Sequence, residues 1–149
     1  MNRIFSSKYL LLIARIILGV IFIFAGMEKI SEPSAFAKAI YDYKLFPEVL
    51  INFSAVVIPW IEVVSGLLLV FGIFAKENAL ILNFLLIVFI ILVLISILRG
   101  LNIECGCFGT ASASRVGWLK ILENTGLAFL GAYIIYFENR SLKPESENV

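Results

Sequence analysis

The chain contains no histidine, which removes the commonest general base, the usual axial haem ligand and the most frequent zinc ligand together. Any chemistry has to come from cysteine, carboxylate, lysine, arginine or tyrosine. Cysteine is nearly as scarce. Two residues cannot build a four-thiolate metal site or a framework of several disulfides, but they suffice for one pair. Charge is thin as well: Asp, Glu, Lys and Arg make up 15% of the 149 residues, against about 25% in soluble domains. The net charge of +1 comes from interspersed signs, so there is no electrostatic footprint for nucleic acid. No internal repeat or low-complexity segment stands out.

What fills the chain instead is apolar sequence, 61% of it, gathered into long runs. Residues 9–27, 51–74, 79–98 and 118–137 each approach the roughly 20 residues that cross about 30 Å of hydrocarbon. The fold class this predicts is all-α: an integral membrane four-helix bundle forming one domain over 1–140. A polar tail over 141–149, with Pro144, Glu145 and Glu147, is expected to stay disordered. The first run reads as a retained helix rather than a cleaved signal peptide, because it exceeds an ordinary signal core, holds Arg15 and lacks a small-residue cleavage pattern before Glu28.

Four spans place both termini on one side. Only Ala75-Lys76-Glu77-Asn78 separates the second and third runs, which predicts a helical hairpin. On the other side, Ser31-Glu32-Pro33 reads as a helix start. Phe36, Ile40 and Tyr43 then share a face opposite Lys38 and Asp42, so a short amphipathic helix at the membrane surface, ended by Pro47, is expected between helices one and two. Basic residues do not decide orientation. Arg3, Lys8, Lys76, Arg140 and Lys143 lie on the terminal side, against Lys29, Lys38, Lys44, Arg99, Arg115 and Lys120 on the other.

The most informative stretch is Ile103-Glu104-Cys105-Gly106-Cys107-Phe108-Gly109, in the connection between the third and fourth runs. Gly106 and Gly109 free the backbone where two sulfurs have to meet. A disulfide across one residue closes a very small ring, and strained bridges are the labile, exchanging kind. Arg99 and Arg115 favour a thiolate there, while Glu104 opposes it. Three readings stay open: Cys105 and Cys107 as a catalytic redox pair, as a two-thiolate site for a soft metal such as Cu(I), or as inert loop thiols.

Charged residues inside apolar runs are the next clue, since each costs about 2.5 kcal/mol or more in hydrocarbon. Arg15, Glu62 and Glu123 qualify. Arg15, Gly19, Phe22, Gly26 and Lys29 recur at alternating steps of four and three, which puts two charges and two glycines on one face, predicted to point inward. Arg15, Lys29, Glu62 and Glu123 are therefore candidates for a polar interior or a cofactor pocket, against the simpler reading of packing partners and snorkelling side chains. Trp118 fits an interfacial anchor. Trp60 is deeper, a candidate pocket wall or a packed aromatic.

These residues resemble the DoxX-like superfamily, and within it the branch of the methylamine-utilisation proteins MauE. Arg15-Ile16-Ile17-Leu18-Gly19 with Ala25-Gly26-Met27-Glu28-Lys29-Ile30 is similar to the family's first-helix pattern. Pro59-Trp60-Ile61-Glu62-Val63-Val64-Ser65-Gly66 is similar to its second, and Cys105-Gly106-Cys107-Phe108-Gly109 resembles the MauE branch specifically. The resemblance runs roughly from Arg15 to Tyr136. It implies a bacterial inner-membrane protein associated with thiol–disulfide redox, with the lipid bilayer and a periplasmic thioredoxin-like or substrate protein as partners, supporting maturation of methylamine dehydrogenase. Analogy with four-helix quinone-linked disulfide-forming enzymes adds a quinone as a cofactor to test and places both termini in the cytoplasm. Those enzymes carry two cysteine pairs, however, and this chain has one. The alternative is a membrane assembly factor or soft-metal-binding subunit without enzymatic activity.

Overall fold

The computed structural model describes residues 8–100 and 118–141, and these are all-helical apart from short connections. The described residues form five helices: α1 (Lys8–Ser31), α2 (Pro33–Asp42), α3 (Glu48–Phe71), α4 (Ala75–Leu98) and α5 (Trp118–Ser141). All but α2 are 24 residues long. The four long helices pack side by side in the order α1, α3, α4, α5, with α5 returning to α1, while α2 rests mainly on α3.

Among the described residues, α1, α3 and α4 are long and apolar enough to cross a membrane. The expected fourth span coincides with α5, which has the length but is more polar, carrying Lys120, Glu123, Asn124, Glu138, Asn139 and Arg140. Wide outward exposure of Phe24, Phe53, Phe71, Phe84 and Leu98 is what lipid-facing helices require, since their surroundings are as apolar as their core.

Boundaries differ from the hydropathy reading at the hairpin. The apolar run continues to Phe74, but α3 ends at Phe71 because Gly72 adopts φ +76. The Gly72 N–H donates to the Leu69 carbonyl and the Ile73 N–H to that of Leu68, the paired bonds of a Schellman ending. Phe74 follows at φ +46, and the Asn78 side-chain amide donates to the carbonyls of both Ile73 and Phe74, holding the left-handed turn. Residues 75–78 are thus the first turn of α4. Likewise, Pro33 opens α2 as expected, but α2 closes at Asp42, and Pro47 is the residue that caps the start of α3.

α1 and α3 come closest. A Cβ on Gly26 would sit 2.8 Å from the Pro59 carbonyl oxygen, and one on Gly66 would sit 2.8 Å from that of Gly19, so only glycine permits this approach. Two apolar clusters result. Ala14, Leu18, Phe22, Leu69, Ala79, Leu82, Leu86 and Ile134 fill the half nearer the terminal side. Phe36, Ile40, Ile51, Ala55, Phe89 and Val93 fill the half beneath α2.

Candidate functional site

Lys29, one turn from the end of α1, and Glu62, in the middle of α3, meet inside the protein. The Lys29 ammonium donates to both carboxylate oxygens of Glu62, at 2.9 and 2.8 Å, with each side chain 1% exposed. The Lys29 nitrogen also lies 5.3 Å from the ring centres of Phe36 on α2 and Phe89 on α4. One cation therefore ties four helices together, held by a carboxylate on one side and two aromatic faces on others. The steps of four and three along α1 are what aim it inward: Gly19, Phe22, Gly26 and Lys29 are all buried.

The other candidates lie apart from this pair. Arg15 reaches Glu138 of α5 at 3.0 Å, and both side chains are partly exposed. Its guanidinium also fills the space beside Gly72, where a Cβ would collide with it. Glu123 faces outward and accepts from Lys120 at 3.0 Å, one turn away on the same helix. Lys29 and Glu62 are thus brought together, whereas Arg15 and Glu123 are separate. Both oxygens of the buried Glu62 carboxylate are engaged by the Lys29 ammonium. Trp60 is largely exposed and lines an apolar cavity of about 680 Å³ between α3 and α4 with Val56, Val57, Ile61, Val64 and Ile81. Trp118 is exposed at the first position of α5.

Cys105, Cys107, Arg115 and residues 142–149 of the polar tail lie outside the described residues, while Ser141 ends α5. The helices that flank the cysteine segment are described. Lys76 donates to Asn139 and Gly131 faces Asn83, so α4 and α5 run antiparallel. The end of α4 and the start of α5 therefore share the end of the molecule that carries α2 and Lys29. There the Arg99 guanidinium donates to the Tyr43 carbonyl at 3.3 Å. Tyr43 is 2% exposed, and burial pushes its hydroxyl up to about 12.

Reading residues alone missed three contributors. Glu138 was the partner to seek for Arg15, since antiparallel packing brings the beginning of α1 to the end of α5. Phe36 and Phe89 are ordinary apolar residues in sequence, and only the packing shows them flanking a cation.

Helices of this length and composition, with a charge pair sealed among them, define a polytopic α-helical membrane protein. The chain belongs to the MauE family: the family model of the methylamine utilisation protein MauE matches residues 7–137. It is 31% identical to the methylamine utilization protein MauE of Paracoccus denitrificans over 80% of this chain and 65% of that protein. It is 30% identical to that of Methylorubrum extorquens over 70% and 56% respectively. A third relative, from Methylophilus methylotrophus, is 24% identical over 90% of this chain and 72% of its own length. The chain thus spans less than two thirds of the length of the first two. No solved structure matches it significantly.

Proposed function

We propose that this chain is an inner-membrane accessory protein for thiol–disulfide chemistry, in which Cys105 and Cys107 exchange with a periplasmic thioredoxin-like or substrate protein. The observation that carries the reading is the arrangement of elements at one end. The last turn of α4 and the first turn of α5, the two helices that flank Cys105 and Cys107 in the sequence, lie at the end of the molecule that carries α2 and Lys29. In the exchange, a partner thiolate attacks the Cys105–Cys107 disulfide. The released cysteine leaves as thiolate, and the partner's second thiol resolves the mixed disulfide. Two electrons pass from the partner dithiol to this pair.

On this reading α5 is the fourth span, both termini are cytoplasmic, α2 lies at the outer surface, and four helices form a bundle that holds the cysteine segment outside. The equal lengths of α1, α3, α4 and α5 and their side-by-side packing support it. Because the relatives are methylamine utilization proteins, methylamine metabolism is the setting to test first.

Labelling of Cys105 and Cys107 with a membrane-impermeant maleimide in intact spheroplasts tests orientation and redox state together. Labelling that appears only after reduction is the expected result. Labelling only after lysis places the segment inside and overturns the proposal. Cys105→Ser and Cys107→Ser should each abolish exchange with a partner dithiol. Full activity in both variants would leave a scaffold role, and stoichiometric Cu(I) bound by the reduced wild type but not by the double variant would mark a soft-metal site instead.

A further inference from the structure

Between the two apolar clusters lies a thin polar layer. On α3, Ala55 belongs to one cluster and Leu69 to the other, with Glu62 between them. On α5, Ile121 packs against the cluster beneath α2, Leu127 and Ala128 against the other, and Asn124 falls between. The two polar residues are treated very differently. Both carboxylate oxygens of Glu62 accept from Lys29, whereas Asn124 is 0% exposed and, among the described residues, neither its amide nitrogen nor its amide oxygen has a hydrogen-bond partner.

We infer that Asn124 binds ordered water within this layer. A buried primary amide offers two donors and an acceptor, and an apolar interior cannot satisfy them. Water can, because it supplies both donor and acceptor and typically makes about three hydrogen bonds where it is buried. Asn124 is six residues from the start of α5, roughly 9 Å at 1.5 Å per residue, so the layer lies within two helical turns of that end of α5. Asn83 of α4, whose amide oxygen is also buried without a partner, faces Gly131 further along the same seam, so the α4–α5 contact holds polar groups at two levels. This inference concerns the helices alone and stands or falls independently of the cysteine chemistry.

Water-edited solid-state NMR of the full chain in liposomes, with nitrogen-labelled asparagine, tests it directly. The protein carries its own standards. Asn78 is buried with its amide donating to two backbone carbonyls, and Asn139 is exposed. The Asn124 side-chain signal should gain magnetisation from water at a rate close to that of Asn139 and several-fold faster than that of Asn78. Asn124→Leu assigns the signal, with Asn124→Ser serving if the leucine variant does not reconstitute. A build-up at Asn124 as slow as at Asn78 means a dry seam and overturns the inference.

Discussion

The α1–α3 seam and the α4–α5 seam are built from helices of the same length, yet they solve the problem of polar groups in an apolar interior in opposite ways. Between α1 and α3, glycines bring the backbones together, and the one cation and one carboxylate are matched to each other and roofed by two rings. Between α4 and α5, a glycine makes room for Asn83, while Asn124 lies buried with its amide unmatched. A charge cannot be left in such a place, whereas a neutral amide can, provided that something small and polar reaches it. The first seam thus matches its polar groups within itself, and the second leaves an amide to be matched from outside.

The strongest way to break the comparison is to orphan one member of the ion pair. Lys29→Met or Glu62→Leu alone should cost about 3–5 kcal/mol, because the survivor is left as an uncompensated buried charge, whereas the double substitution should recover most of the loss. Equilibrium unfolding in mixed micelles reads this, and single variants as stable as the wild type would show that the pair is not sealed.

Next comes the cap over that seam. Burial pushes the Tyr43 hydroxyl from the ordinary tyrosine value of 10.0 up to about 12, so the folded state holds its proton more tightly than the unfolded state does. That stability is complete below pH 10.0 and is lost as pH rises through about 12. In full it amounts to about 2–3 kcal/mol. Tyrosinate absorbance should report a late-titrating group that Tyr43→Phe removes. Gly26→Ala follows at about 1–3 kcal/mol, since its methyl group meets the Pro59 carbonyl and must push the helices apart. The smallest effect belongs to the other seam: Asn124→Leu removes an amide that no group among the described residues answers, and should change stability by no more than about 1 kcal/mol. A larger loss would mean that Asn124 is bound into its seam as firmly as Glu62 is into the other.

Much of the architecture could be read from the residues. Hydropathy located all four long helices, and the spacing of Arg15, Gly19, Phe22, Gly26 and Lys29 identified the face that α1 buries. Two things escaped. Helix ends depended on backbone geometry: the apolar run through Ile73 and Phe74 hides the left-handed turn at Gly72 that ends α3. Pairing depended on depth across four helices. Lys29 and Glu62 are 33 residues apart, and nothing local distinguishes Glu62, which finds a cation, from Glu123, which turns to Lys120 on its own helix. Asn124 drew no notice, because an asparagine in an apolar run becomes informative only when its neighbours prove unable to bond it.

The position of Glu62 also bears on how the chain is made. Synthesis delivers α1 first, and Lys29, one turn from its end, can rest its ammonium at the lipid headgroups while it waits. Glu62 arrives in the middle of α3, where no such refuge exists, and an acidic group at that depth opposes entry into the bilayer by about 2.5–3.5 kcal/mol. The lysine already standing in α1 is the counter-ion that lets α3 follow, so the order of translation matches the order in which the charges can be tolerated, and a nascent chain lacking Lys29 should stall at α3.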